Sequence, residues 1–590
     1  MTDAYKQLCY RLGLITLLIA LVYGNTLNHG FVWDDTDIIV NNPLLESLGN
    51  IPRFFFAEDK VVVATGYYRP MTYISFALDR AIWGLNPVGF NITNLVLHIL
   101  VVLLFYAVIK TLFTKPHLAF VAAVIFALHP LAGETVNFHA GGRNTLLSAC
   151  FALLALLYYI QEKQVRSVAC FTCAIFSKEF ALLLPLVFLF YDYELQQKRS
   201  RFSAYIPYLI SIICYLALRS LAVQKANFLE SFRFSKQLLL TPYLAVRYLL
   251  NMIYPFQLKV MYDESVAIYV GFLCLLIVIL LTGTIFIFRK HKELQISVFW
   301  FLLFLLPVVN IIPLVSNTLI ADRYAYFSLM GFALAVATII CIGTTRIITV
   351  AVVILCSAYA ITDFRQNNVW KDDGTLFTRM ANDAPEMFIG YRNLGLYYYN
   401  KGETDNTLYN LAIACSKADI PPLYLTGAAS MFIEANKLDK AEELLLKSLT
   451  REPANPEPYL LLNMIYERKG NTELAASYLV KARKSIPGFE TELGRMAEIF
   501  SREGEDFIAA HKYTNAKNIL WRALLANPDF VPALVAMGRL GYEQGDFTNA
   551  ARYLEKAIAL DPSSASAHNA LSLVRQKQKK TVEVLTKPTK

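Results

Sequence analysis

The chain has 590 residues, of which 56% are apolar and only 17% charged, with a mean hydropathy of +0.42. A soluble globular chain carries about a quarter charged residues, so neither a single soluble domain nor a disordered chain fits, and lipid must be part of the solvent. The net charge of +9 sits almost wholly in residues 1–370, because 371–590 holds 28 basic and 27 acidic residues; this reads as topology signal and not as a nucleic-acid footprint.

Apolar runs long enough to span a bilayer are expected near 10–28, 91–113, 118–136, 144–161, 166–177, 180–193, 203–221, 266–288, 296–314, 324–343 and 347–363. The pair 166–193 reads as short and broken. A further apolar helix near 238–255 is interrupted by Arg247, Asn251 and Pro255 and is expected to be re-entrant. Lys6 and Arg11 precede the first run and place the N-terminus in the cytoplasm. Alternation then makes cytoplasmic loops of Lys110/Lys115, Lys163/Arg166, Lys198/Arg199/Arg201, Arg289/Lys290/Lys292 and Arg346. Eleven crossings result, with the C-terminal half outside and the first run kept as an anchor. Cys170-x-x-Cys173 falls inside an apolar helix and is expected to be buried packing, since a redox thiolate needs a wetter site.

Beyond about residue 385 the pattern becomes amphipathic and repeats. Gly402, Asn436, Gly470 and Gly504 recur every 34 residues, each expected at a turn between two helices; Gly545 follows after 41, so the fourth unit carries an insertion of about seven. Ala441, Ala475 and Ala550 fall at small-residue packing positions. This period is that of the tetratricopeptide repeat. The expected organisation is all-α: a membrane domain over 1–363, a connector over 364–384, about five repeats and a terminal helix over 385–579, and a tail over 580–590.

The chemistry-bearing residues fall on the loops assigned to the outer face. Asp34 and Asp35 follow the first span in "FVWDDTD". Adjacent carboxylates raise each other's pKa and can serve as a base or a metal ligand; a solvated turn is the plainer alternative. Arg69 lies in the same loop, His129, Glu134, His139 and Arg143 in the second, Lys178 and Glu179 at a span end, and Asp322 and Arg323 before another span. Cations there suit a lipid phosphate, and carboxylates an acceptor hydroxyl or a metal; pairing with a neighbouring carboxylate or snorkelling is the structural alternative.

The ordered motifs F-x-x-D-D, Y-R-P-(L/M)-T, G-L-N-P-x-G-F-x-x-x-N-x-x-x-H, H-P-x-x-x-E-x-V…G-R, (S/C)-K-E and R-Y-x-Y-x-x-x-x-G-F, with "NNVWKDDGTLF" leading into the repeats, resemble the transmembrane-and-tetratricopeptide-repeat O-mannosyltransferases and their bacterial relatives. The resemblance implies a type C glycosyltransferase fold and transfer of a sugar, expected to be mannose, from a polyprenyl-phosphate carrier to a protein hydroxyl with inversion, at the extracytoplasmic face of a bacterial inner membrane. It implies Asp34 as general base with Asp35 beside it, Arg69, Arg143, Lys178 and Arg323 on the donor phosphate, and Glu134 and Glu179, grouped with His129 and His139, as orienting residues. No tightly bound cofactor is expected, and a divalent metal on Asp34 and Asp35 is left open. Expected partners are the lipid donor, membrane lipids and a polypeptide held by the repeats, with no nucleic acid. Competing readings are a lipid or polysaccharide acceptor and a non-catalytic membrane-anchored scaffold; eleven spans argue against the scaffold, which needs only one.

Overall fold

A computed structural model of the protein describes residues 3–56, 67–197, 202–222, 234–262, 291–309, 320–343, 346–485 and 489–586. The described residues form helices and no strands, in two compact units, Met1–Glu386 and Met387–Lys590. The expected span near 266–288 and the basic clusters at Lys198–Arg201 and Arg289–Lys290 lie outside the described residues.

Among the described residues of the first unit, four helices are long and apolar enough to cross a membrane: Tyr5–Asn28 with its 3-10 end, Pro87–Phe113, His139–Ile160 and Asp322–Ile342. A fifth arises if Pro116–Leu128 and Pro130–Asn137, bent by 58° at His129, count as one span. Shorter apolar helices run Gln164–Ser177 and Ile206–Ala222, and Arg346–Asn367 closes the set. Leu17, Leu21, Val96, Leu100, Ile339 and Val353 are exposed on these helices, as lipid-facing side chains must be, since lipid leaves no reason to bury them. Polar side chains turn inward and find each other. Tyr23 donates to Asp363 at 2.5 Å, and His98 Nδ1 meets the Tyr326 hydroxyl at 2.7 Å. Both links join residues more than 200 positions apart.

Several motifs prove to be helix signals. In "WGLNPVGF", Asn86 accepts from the Val88 N–H as N-cap and Pro87 opens the helix Pro87–Phe113, where its missing N–H costs nothing. Arg69 precedes Pro70, which opens Pro70–Trp83 in the same way. The segment after Ser177 breaks at Lys178, whose backbone is extended, before a 3-10 turn over Glu179–Leu183 and a short helix Leu184–Phe190.

The second unit stacks helix pairs: Phe388–Asn400 with Thr404–Ser416, Pro422–Glu434 with Leu438–Arg451, Pro456–Arg468 with Thr472–Ser485, Phe489–Ala509 with Tyr513–Ala526, and Val531–Glu543 with Phe547–Leu560. Turns at Gly402, Asn436, Gly470 and Gly545 have positive φ, the left-handed conformation that Gly and Asn adopt most cheaply. Gly504 corrects the register. It lies inside Phe489–Ala509, and the fourth turn falls at His511 (φ 56°). A Cβ on Gly504 would stand 2.4 Å from Leu520, as one on Gly538 would from Leu554 and one on Gly395 would press Leu411. In each case the partner leucine is 16 residues on. Gly504 therefore admits the facing helix and does not make a turn, and the seven extra residues precede it, in the 21-residue helix of the fourth unit. The last helix, Ala565–Thr586, runs on through most of the segment read as a tail.

Candidate active site

The loop after the first span folds into a tight turn. The Asp35 N–H donates to the Val32 carbonyl at 3.0 Å, and Trp33 within the turn has φ 53°. Asp35 is fully buried and its carboxylate is committed to structure. Oδ1 accepts from the Ala140 N–H (2.7 Å), and Oδ2 from the Val32 N–H (3.2 Å) and the His139 ring (2.9 Å). His139 reaches the Asn91 amide oxygen with its other nitrogen at 2.9 Å. Asp35 and His139 thus form one clamp that ties the turn to the start of helix His139–Ile160.

Asp34, by contrast, is an exposed residue. The surrounding protein mass pushes that carboxyl up to about 6; Arg323 opposes the shift and Asp35 and Asp37 add to it. Desolvation disfavours the charged form, and a nearby cation recovers only part of the loss.

Arg323 enters from the start of a distant span. Its guanidinium pairs with Glu134, which also accepts the Arg323 backbone N–H at 2.9 Å, and it lies over the Phe138 ring at 5.2 Å. Gly141 permits this packing, because a Cβ there would come within 2.6 Å of the Phe138 ring and 2.8 Å of the Arg323 Nε. Arg69 donates twice to Glu179, at 3.2 and 2.6 Å, in the fork geometry of a strong pair. Burial raises the Glu179 carboxyl, but the Arg69 guanidinium overrides it and holds it at about 2.

Lys178 is buried, donates to Thr145 at 2.7 Å and faces the Phe180 and Tyr324 rings. Burial lowers its pKa, and the charge of Arg69 adds to the effect; Arg323 contributes further. Tyr67 stands within electrostatic reach of Tyr324, Arg69, Glu179 and Arg323, with the Arg69 guanidinium over its ring at 4.1 Å. Asp34, Arg323, Glu134, Lys178, Arg69 and Glu179 therefore share one electrostatic neighbourhood.

Two expected residues have other settings. Arg143 is fully buried, and its donors are taken by Asn94, Ser75, Asp79 and the Phe90 carbonyl. His129 sits at the 58° bend, accepting from the Leu131 N–H and facing the Met252 carbonyl at 2.8 Å. Among the described residues no three His, Cys, Asp or Glu side chains converge as a metal site. With both oxygens of Asp35 engaged, Asp34 and Asp35 do not offer a chelating pair. Sequence reasoning missed Tyr67, Tyr324, Asp79 and Asp373. Tyr324 and Asp373 lay inside quoted motifs, and none of the four carries a spacing signal of its own.

Apolar helices that can cross a membrane, a charged cluster built by their connecting loops and a helical repeat array define an α-helical membrane protein with a tetratricopeptide solenoid. A tetratricopeptide-repeat family model matches residues 538–579. Protein O-mannosyl-transferase TMTC1 of Mus musculus is 34% identical over 195 residues, 29% of this chain and 21% of that protein. The human TMTC1 is 33% identical over 210 residues, 31% and 24% respectively. Protein O-mannosyl-transferase F38B6.6 of Caenorhabditis elegans is 27% identical over 235 residues, 38% and 33%. The matched stretch spans about a fifth to a third of these relatives, and over it the chain is related to the protein O-mannosyl-transferases, as the motifs indicated. The repeat protein YrrB aligns with 33% of the chain and 96% of its own at 18% identity and a TM-score of 0.19, too low to bear on the fold.

Proposed function

We propose that the protein is a membrane glycosyltransferase that moves a sugar, mannose by kinship, from a polyprenyl-phosphate carrier to a Ser or Thr hydroxyl of a protein on the extracytoplasmic face. The observation that carries this reading is Asp34, an exposed residue whose carboxyl is held at about 6 with Arg323 in electrostatic reach, Arg323 being linked in turn to Lys178, and Lys178 to Arg69. An inverting displacement needs a base that takes the acceptor proton as the anomeric bond breaks. Asp34 has the exposure and the pKa for that role. The departing phosphate needs fixed positive charge. Arg323 supplies it, Lys178 adds a hydrogen-bond donor, and Arg69, with Glu179 holding its fork, completes the phosphate end. A polyprenyl tail stays in the bilayer, so the phosphate must be met at the ends of the spans. The repeats hold the polypeptide, as solenoid grooves suit extended chains.

The test is turnover of the full chain in lipid nanodiscs with a polyprenyl-phosphate mannose and a Ser/Thr-rich peptide, read as a hexose mass shift. The rate should fall about tenfold per pH unit below about 6, because only the carboxylate form can accept the proton. Asp34→Asn should lower it by about 10²–10⁴ and abolish that slope. Normal turnover by Asp34→Asn, or peptide left unmodified by the wild-type protein, would refute the reading.

A further inference from the structure

The segment "NNVWKDDG" follows the last apolar helix and has no part in the mechanism above, yet it is bound to the turn that carries Asp34. The Gly30 N–H donates to the Lys371 carbonyl at 2.9 Å. The Trp33 N–H donates to Asp373 Oδ1 at 2.8 Å. Trp370 stacks on Phe138 with centroids 5.4 Å apart, and Phe138 stacks on Trp33 at 5.6 Å. Asn367 donates to the Val22 carbonyl and to Asn25. Each contact bridges about 340 residues of chain to the stretch 22–33, the end of the first span and the turn after it, Phe138 apart.

Trp33 has φ 53°. A bulky aromatic residue in the left-handed region is an outlier, and such conformations persist only where the surroundings over-determine them. Three features hold this one: the Asp373 acceptor on its N–H, the ring stack on its side chain, and the Val32–Asp35 turn bond closing around it. Asp34 is the next residue. Its backbone direction is inherited from Trp33, because consecutive residues share a rigid peptide plane.

We infer that Asp373 is a positioning residue for Asp34: by accepting the Trp33 N–H it keeps the turn in its left-handed form and so aims the Asp34 carboxylate. The inference rests on the role proposed for Asp34. Removing the acceptor frees Trp33 to relax to negative φ, and Asp34 swings with it. Misplacement of a reacting group by about 1 Å can cost about 10²-fold in rate.

The experiment uses the full chain in nanodiscs, with 5-fluorotryptophan in place of tryptophan and the Trp33 resonance assigned by its loss in Trp33→Phe. Asp373→Ala should lower kcat about tenfold or more, leave KM for the polyprenyl-phosphate mannose within about twofold, and shift the Trp33 fluorine resonance. Asp373→Asn, whose amide oxygen can still accept, should recover most of the rate and the original resonance. In a Trp33→Gly background, where the left-handed conformation is no longer strained, Asp373→Ala should cost much less than in the parent. An unshifted resonance in Asp373→Ala, a kcat within twofold of the parent, or an equal loss in the glycine background would each overturn the inference. Failure of the base assignment shows separately, as normal turnover by Asp34→Asn.

Discussion

The two units hold their shape by opposite means. In the repeat array, Gly395, Gly504 and Gly538 each meet a leucine 16 residues later, so the same local contact is made in the first, fourth and fifth helix pairs. In the membrane unit, the decisive contacts join residues far apart in the chain: Glu134 with Arg323, His98 with Tyr326, Tyr23 with Asp363, and Trp33 with Asp373. Water around the array rewards apolar burial, so packing complementarity carries the repeats. Lipid offers no such reward, and the buried polar pairs carry more of the specificity. A site that needs several charges in one place is therefore built where charges already have to find each other.

Perturbing each kind of contact should sharpen this contrast. The largest effect is expected from Glu134→Ala, which leaves Arg323 without its carboxylate in a buried setting. Breaking one partner of a buried pair costs about 3–5 kcal/mol, to be read as a large drop in thermal unfolding temperature in detergent. A drop no greater than that of a surface substitution would mean the pair is not structural. A middle effect is expected from Gly504→Val. Its Cβ would stand 2.4 Å from Leu520, and overpacking costs about 1–3 kcal/mol. Hydrogen exchange should rise in Phe489–Ala509 and Tyr513–Ala526 and stay unchanged in Val531–Leu560; equal change throughout would deny the local character of the array. The smallest effect belongs to Arg539→Ala. Its pair with Glu505 spans 34 residues, at 2.8 Å, but both side chains are about half exposed, so the loss should stay under about 1 kcal/mol.

The amino-acid sequence by itself determined the helical class of the chain and the period of the array. These depend on apolar runs, N-terminal prolines and a 34-residue spacing, all of which are local. The single register error, at Gly504, arose because two kinds of glycine recur at the same period, one for the left-handed turn and one for close helix packing, and only packing tells them apart. The candidate site was legible as a set of charged residues on loops, because charge beside an apolar run is costly and conspicuous. Their division of labour was not legible. Asp34 and Asp35 are identical neighbours in the chain, yet one is exposed and the other is spent on His139 and two backbone N–H groups; Arg143 and Arg323 look alike in sequence, yet one is enclosed by Asp79 and Asn94 and the other faces Asp34. Those differences come from partners about 50 to 290 residues away, brought close only by the tertiary fold, and no local pattern encodes which distant side chain will neutralise which charge.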